Sequence, residues 1–582
     1  MPTLVRSLLV TFTVLVTAGV AMTAIDSGSR AAVHSKPPAT LRGTYSLIHA
    51  DGGKFDDSLT PVVFHDGKLI GSKAFGIAPG SHVTLGRDAL ISHTLAASAA
   101  LGTRKLLVVP VVWGSKTIKG TQSSDKSFGN GPLATWYKTA SYGQFTWSAN
   151  ATPKVKITAP TGTSVSTWLN QVASRANTKI SALGYKPANY SAVMYEVPTL
   201  FGGAAGYGMV PGRYAWVKTP LNIRVAAHEL GHTLGLYHAH ADECGYSWMQ
   251  ATYDTTMAQS CFSVNHECGG ALGSVGSSCW AEYGDPFAAM GESWMQMTSK
   301  SPNAGSFDAA EKAQLGWVTP TNGREQTITQ SGDYPISPYE DSTHPAPQAL
   351  KITTPDGTFW FEYRTWTGLD SVFQSYFGYY RDQYTGSSGY RFPNQILVHL
   401  DHPVNGGGDL GSLLVDTHDQ PAQTSPLWDI AAVCNTYGLA SVPGSCDSGL
   451  LNGERFVDFR QFIVEPETTG TGQEVLHVVF DSTGPDVSGM TATPPDGSSS
   501  SNTYPTFQIT SPATDAQSGV AYYLLYVDKD LNTNPPPDAT LMANQPLSWS
   551  GGVSSGSHTF TVVAVDWAGN FTVGPTQTFT VS

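Results

Sequence analysis

The stretch Ala227–His238 constrains this chain more than any other, because it reads A-H-E-L-G-H-T-L-G-L-Y-H. His228 and His232 are four residues apart, so a helix would place both imidazoles on one face, one turn apart. Gly235 can adopt a positive φ and turn the chain back beneath that helix, which returns His238 to the same place. Three converging imidazoles predict a zinc site with one coordination position left open, as in catalytic rather than structural zinc sites.

The residue beside the first histidine supplies the remaining chemistry. Glu229 is predicted to hold the water on the zinc and to take its proton as a general base. A bare HExxH also occurs in helices that bind no metal, and a single histidine is more often a surface or core residue than a ligand. Helix packing does not require the further glycine and third histidine, and the chain has only 16 His in 582 residues. The longer pattern therefore favours a metal site.

Length and composition set the broad class. A chain of 582 residues is too long for one compact core and predicts about three to five domains. Charged residues make up only 13%, and the 60 Gly and 37 Pro favour short strands and turns over long charged helices. The net charge of −13 argues against a nucleic-acid or anionic-membrane partner, since both are polyanions.

Residues 1–24 are predicted to be a signal peptide. Arg6 precedes an apolar run from Leu8 to about Ala24 that ends in small residues, and Gly19 and Ala21 suit a signal-peptidase site. The run nearly reaches membrane-spanning length, so an uncleaved anchor is the alternative. Cleavage is favoured, and it predicts a secreted, extracellular protein with no stable membrane span afterwards.

The six cysteines form an even set in a chain predicted to enter an oxidising compartment, which indicates disulfides. Cys434 and Cys446 would close a short loop, while the other four allow three pairings that sequence does not separate. A second metal site near His266 is the alternative, but the spacing matches no tight zinc pattern. The disulfide candidates are Cys244, Cys261, Cys268, Cys279, Cys434 and Cys446.

Residues 40–103 are predicted to form a small N-terminal β domain, which we interpret as a propeptide. They carry short alternating apolar pieces separated by Asp-Gly and Gly-Gly turns. No cysteine precedes the zinc motif, so a thiolate from this segment could not block the metal. Latency would then need another ligand or steric cover.

Residues 104–320 alternate strand and helix patterns around the zinc motif. The predicted strands are 105–113 and 190–197, and the predicted helices are 168–183, 221–234 and 307–317. The Gly-rich segment 201–217 is interpreted as an edge strand with which a peptide substrate could pair by β-augmentation, and a plain glycine loop is the alternative.

The long zinc motif followed by a methionine in a turn resembles the metzincin metallopeptidases. The residues after the motif are similar to the gametolysin family of that clan, over about 104–320 well and more loosely beyond. They are His238-Ala239-His240, Tyr283, Asp285, Met290-Gly291 and Phe307 through Leu315-Gly316-Trp317.

This resemblance implies a zincin-like catalytic fold and a role for each matching residue. His228, His232 and His238 would bind zinc, Glu229 would be the general base, and Met290 would pack beneath the metal. The sequence has no tyrosine two residues after Met290, so Tyr283 is the candidate transition-state stabiliser.

The rest of the chain is predicted to be β-rich. Short strands separated by turns predict a β-sandwich over 321–484, and a Ser/Pro/Gly-rich linker precedes an immunoglobulin-like module over 485–582. Asp528 to Asn534 imitates the start of a calcium loop, but Thr533 replaces the required glycine and the final Glu is missing. We interpret it as a polar turn, so calcium is left without support.

Together these patterns predict an α+β protein: a zincin-like catalytic domain followed by β-sandwich domains. The predicted function is that of a secreted, monomeric zinc endopeptidase, which hydrolyses extracellular proteins by Glu229-assisted attack of zinc-bound water. Cell-wall and matrix glycoproteins are among the candidate substrates. The alternative is an adhesin or carbohydrate-binding protein with an incidental zinc domain. The β-rich half without catalytic residues favours the alternative, and the complete motif argues against it.

Overall fold

The computed structural model describes residues 100–242, most of 280–372, 394–401, 411–415 and most of 449–582, together with five strands between residues 40 and 94. The predicted signal peptide, Tyr283 and all six cysteines lie outside the described residues. The predictions that rest on them stay predictions.

An eleven-stranded sheet forms the centre of the region that contains the histidine motif. Its strands are β1 (Thr40–Asp51), β2 (Thr60–His65), β3 (Lys68–Gly71), β4 (His82–Gly86), β5 (Ile91–Thr94), β6 (Gly102–Val112), β7 (Phe145–Ala151), β8 (Val155–Lys156), β9 (Ala192–Val197), β10 (Gly206–Val210) and β11 (Tyr214–Lys218). The main order is β3-β2-β1-β10-β11-β9-β6-β7. β11, β9, β6 and β7 run parallel, whereas β10 runs antiparallel to β11.

The five described α-helices have between 6 and 18 residues, and side chains cap the N-termini of four of them. They are α1 (Gln122–Phe128), α2 (Ala134–Ala140), α3 (Val165–Ala182), α4 (Ile223–Leu234) and α5 (Ala309–Gln314). A π-helical turn, Gly129–Leu133, joins α1 to α2, and 3-10 turns occur at Pro187–Asn189, Phe201–Gly203, Pro320–Asn322, Gly368–Asp370 and Leu531–Thr533. Asp308 caps α5 in a capping box with Glu311, so this helix begins two residues after the start of the predicted helix 307–317.

β6 shows why the predicted apolar strand is buried on both faces. Leu106 and Val108 belong to the core that α2 and α4 cover, whereas Leu107 and Val109 belong to the core beneath α3. Alternate side chains of a strand point to opposite faces, so a run without polar residues fills both cores. Each of these fully buried side chains contributes roughly 1.5–3 kcal/mol to stability.

The Gly-rich segment 201–217 differs from its prediction as a single edge strand. It forms the hairpin strands β10 and β11, because Pro211 and Gly212 turn the chain between them. β10 is not a free edge either, since β1 pairs with its outer side from Leu47–Val210 to Asp51–Gly206. The strands of residues 40–94 therefore extend this sheet rather than forming a separate one.

Two further sheets share one apolar core in the β-rich region, where a Phe359–Phe462 ring contact at 5.3 Å joins them. The first contains β12 (His240–Asp242), β13 (Trp280–Ala281), β14 (Glu325–Thr327), β16 (Ala349–Thr354), β17 (Gly357–Arg364), β18 (Gln395–Asp401), β19 (Leu413–Leu414) and β20 (Gly449–Leu450). The second contains β15 (Gly332–Ile336), β21 (Phe456–Asp458), β22 (Phe462–Thr468) and β23 (Glu474–Phe480). Because β12 follows the histidine motif directly and pairs with β19, the first sheet abuts the motif.

The C-terminal region has its own core and two smaller sheets. One contains β24 (Thr491–Thr493), β26 (Thr506–Ser511) and β29 (Leu547–Ser548). The other contains β25 (Ser498–Ser500), β27 (Val520–Val527), β28 (Ala539–Leu541), β30 (Gly556–Asp566), β31 (Phe571–Val573) and β32 (Gln577–Val581). Among the described helices, none is long and apolar enough to cross a membrane.

Candidate metal centre

A side-chain cap begins helix α4, and a glycine with positive φ ends it. The Asn222 side chain accepts a hydrogen bond from Val225 N at 2.9 Å and so satisfies one free N–H of the first turn. Gly235 ends the helix with φ 111°, a left-handed conformation that a residue with a Cβ rarely adopts. The predicted turn at Gly235 is thus confirmed, and it directs the chain back toward the helix.

The three predicted ligands meet. The ring centroids of His228, His232 and His238 lie 4.7, 5.1 and 5.0 Å apart in pairs, and one nitrogen of each ring lies within 4.8 Å of the others. All three side chains are fully buried. Three buried imidazole nitrogens this close together could bind one metal ion.

Hydrogen bonds orient two of these rings for metal binding. His228 Nδ1 lies 2.9 Å from the carbonyl of Ala289, and His232 Nδ1 lies 2.8 Å from that of Leu236. A carbonyl only accepts, so each Nδ1 carries the hydrogen and each Nε2 keeps its lone pair. Metal-binding histidines commonly have this arrangement. The donor set of three neutral imidazoles therefore fits zinc.

Glu229 lies between α4 and β10 and is fully buried. A Cβ on Gly206 would overlap Glu229 Oε1 and lie 2.6 Å from its Cγ, and a Cβ on Gly208 would lie 2.6 Å from His232 Cβ. β10 thus crosses directly over the Glu229 carboxylate and His232, and only glycine permits this close approach at these two positions. We did not anticipate this role of Gly206 and Gly208, although the Gly-Tyr-Gly alternation was a visible signal.

Met290 lies against the ligand helix. A Cβ added to Gly231 would lie 2.6 Å from Met290 Sδ, so the thioether packs on the turn of α4 between His228 and His232. The Met290 carbonyl also accepts a hydrogen bond from Ala239 N at 3.1 Å, next to His238. These contacts place Met290 beside the helix that carries His228 and His232, and its role beneath a metal stays a prediction.

The segment that imitates a calcium loop forms local hydrogen bonds instead. Asp528 Oδ2 lies 2.7 Å from His558 Nδ1, and its Oδ1 accepts from Thr559 N at 2.8 Å. Asp530 Oδ1 accepts from Asn532 N at 3.0 Å, as in an Asx turn. This geometry agrees with the interpretation as a polar turn.

Comparison with protein families adds an independent observation. Residues 112–273 match the model of the family described as gametolysin peptidase M11, and this range includes Glu229 and the three histidines. A comparison with curated proteins finds no match to the chain. The match and the histidine geometry agree on the same residues, and they support a gametolysin-like metallopeptidase over this part of the chain.

Proposed function

We propose that the protein is a secreted zinc endopeptidase that hydrolyses peptide bonds of extracellular proteins, with Glu229 as its general base. The observation that carries the proposal is the position of Glu229, a fully buried carboxylate next in sequence to the ligand His228 and beneath β10. The three imidazoles converge where a metal would bind. A carboxylate held beside them is placed to accept a proton from water at that position and to donate it to the substrate.

Zinc, when bound, would polarise the scissile carbonyl and acidify the attacking water. Glu229 would accept a proton from that water as the new oxygen–carbon bond forms. It would then donate the proton to the amine nitrogen as the carbon–nitrogen bond breaks, so the carboxylate returns to its starting state. In this mechanism Glu229 carries one proton from the oxygen of the attacking water to the nitrogen of the leaving amine.

We further propose that the substrate binds as an extended strand along β10. Support comes from Gly206 and Gly208, which bring this strand into contact with Glu229 and His232. A peptide that pairs with the outer edge of β10 would pass beside the base, and main-chain hydrogen bonds would hold it there.

Gly206→Ala is expected to reduce cleavage about 100-fold without loss of zinc. The new Cβ would overlap Glu229 Oε1, so the carboxylate must move, and a displacement of about 1 Å can cost about 10²-fold in rate. The measurement is kcat/KM on a peptide substrate, with zinc content. Gly131→Ala is the matched control, since no atom lies within 4 Å of the added Cβ. Equal rates for the two variants would contradict this role of Gly206.

The N-terminal segment is proposed to be an inhibitory propeptide. Five residue pairs join β1 to the outer edge of β10, so a substrate strand cannot pair there while β1 remains. The three histidines and Glu229 are also fully buried in the full chain, as expected of a closed site. This form of latency needs no cysteine.

Cutting the chain between β5 and β6 is therefore expected to activate it. If the β1–β10 pairing is worth about 3 kcal/mol, from a few hydrogen bonds of about 1 kcal/mol each, the uncut chain would be about 100-fold less active. The measurement inserts a recognition sequence for an unrelated, specific protease between Thr94 and Gly102 and compares rates before and after cutting. The same cut in a Glu229→Gln chain controls for the added protease, and unchanged rates would rule out latency by β1.

The remaining domains are proposed to bind or position the substrate. Nine strands with their own core in the described part of 485–582 support an immunoglobulin-like module there, and the shared core of two sheets supports a β-sandwich at 321–484. In an extracellular setting the predicted disulfides would be stable. A monomer remains our expectation.

The proposed function is tested by digestion of casein by the uncut and cut chains, with zinc quantified in each. Cleavage that is lost in Glu229→Gln while zinc is retained supports the endopeptidase. Zinc without cleavage by either form would contradict it and favour the adhesin, whose binding would not depend on Glu229.

A further inference from the structure

A buried hydrogen-bond network connects the β-rich region to the segment that carries Met290. His399, on β18, lies with Nε2 2.9 Å from Asp285 Oδ2, and both side chains are fully buried. Asp285 Oδ1 accepts a second hydrogen bond from Phe287 N at 2.7 Å. Asp285 is therefore held from both sides, by the turn it begins and by a strand 114 residues further along the chain.

The turn that Asp285 begins contacts the metal centre in two places. Its Ala289 carbonyl accepts from His228 Nδ1 at 2.9 Å, and its Met290 carbonyl accepts from Ala239 N at 3.1 Å. The first contact sets the ring orientation of one ligand, and the second holds the residue after His238. A shift of the turn would therefore move both the His228 ring and the backbone next to His238.

On its opposite side His399 forms an ion pair. Its Nδ1 lies 3.2 Å from Glu362 Oε1, and the same oxygen accepts from Arg364 Nε at 3.0 Å. Burial lowers the pKa of His399, but the carboxylates of Glu362, Asp285 and Asp308 raise it more strongly, to about 9. At neutral pH the imidazolium therefore faces a carboxylate on each side and joins β17 to the turn.

Asp285, Asp308 and His399 also lie close enough together to hold a cation. Hydrogen bonds satisfy both carboxylates without one, however. Asp308 Oδ1 accepts from Glu311 N at 2.8 Å, and its Oδ2 accepts from the Ser412 hydroxyl. The cluster is thus explained as a hydrogen-bond network, in which His399 supplies the positive charge.

We propose that His399 is a positioning residue for the metal centre: by holding Asp285, it fixes the 285–290 turn so that the Ala289 carbonyl orients His228. The inference deepens the proposed function and rests on it only for the identity of the metal. It assigns the β-rich region a direct structural role in metal binding, in addition to any role in substrate binding.

The test measures zinc affinity of the full chain by competition with a chromophoric chelator. His399→Leu is expected to raise the zinc dissociation constant by up to about 10- to 100-fold, the effect of losing an outer hydrogen-bond partner of a ligand, because it frees the turn whose Ala289 carbonyl is that partner. His399→Gln keeps an N–H donor for Asp285 and should restore most of the affinity. The absorption spectrum of the cobalt-substituted protein should change in His399→Leu, because it reports ligand geometry.

His477→Leu is the matched control. His477 also pairs with an aspartate, Asp333, at 2.6 Å in the same region, but on an exposed surface. The His477→Leu variant should leave zinc affinity and the cobalt spectrum unchanged. Zinc affinity does not depend on cleavage, so a protein that cleaves nothing could still confirm the role of His399.

A folded His399→Leu with wild-type zinc affinity would overturn the inference. If that variant does not fold, Asp285→Asn decides, because asparagine can still accept from Phe287 N but lacks the carboxylate charge that pairs with His399. Weaker zinc binding in Asp285→Asn supports the inference, and unchanged binding overturns it. A second zinc that is lost only with His399 would also overturn it, in favour of a metal site.

Discussion

Glu229→Gln is expected to reduce peptide cleavage by about 10²–10⁴-fold while zinc content stays unchanged. Glutamine has nearly the same volume, so it fits beneath Gly206 as glutamate does, where a larger side chain would not. Its amide cannot accept a proton from water at neutral pH. The three histidines would be untouched, so the loss would fall on kcat. The measurement is kcat and KM of the cut chain on a fluorogenic peptide, with zinc determined by atomic absorption.

Glu325→Gln is the matched control. Glu325 is also buried, but it lies on β14 in the β-rich region, where its carboxylate pairs with Lys351 at 2.7 Å. The same chemical change there should leave cleavage within about twofold of the wild type, since β14 lies at the opposite end of its sheet from β12, the strand that follows the histidine motif. If Glu229→Gln retained more than a tenth of the wild-type rate, another group would have to be the base.

His232→Ala should abolish stable zinc binding and, with it, cleavage. The variant removes one of three converging nitrogens and also the hydrogen bond to the Leu236 carbonyl, which helps return the chain toward His238. Removing only an outer partner of a ligand costs about 10–100-fold in metal affinity, so loss of the ligand itself should exceed about 100-fold. Zinc affinity by chelator competition measures this directly.

Thermal unfolding shows whether His232→Ala lowers stability by losing zinc or by leaving a cavity in the core. Zinc that binds the folded chain stabilises it against unfolding, so a chelator should lower the melting temperature of the wild type and leave that of His232→Ala unchanged. His477→Ala, at an exposed histidine, should respond to the chelator as the wild type does. A His232→Ala protein that still bound zinc tightly would mean that His232 is not a ligand.

The metal centre could be predicted from sequence because its determinants are local. His228 and His232 share a helix face through their spacing, and Gly235 is a residue that readily reverses the chain at that point. The buried strand β6 was predictable for a similar reason, since its apolar run alternates between two cores. In each case neighbouring residues carry enough information to decide the outcome.

The contacts of β10 were not predictable in the same way. The Gly-rich segment predicted strand structure near the site, but not that β1 would occupy its outer edge. Backbone pairing carries little sequence signature, so the partner of a strand is decided by which edge remains available after folding.

By itself, the sequence determined the ligand helix, its two histidines, the base between them and the turn that returns a third, because adjacent residues and helical geometry suffice for these. Only the tertiary structure decided that β10 packs on Glu229 at Gly206 and Gly208. It also decided that His399 contacts Asp285, which lies 114 residues earlier in the chain. Such contacts depend on how separate elements pack. A glycine or a histidine looks the same in sequence whether it lies in a loop, in the core or against a metal ligand.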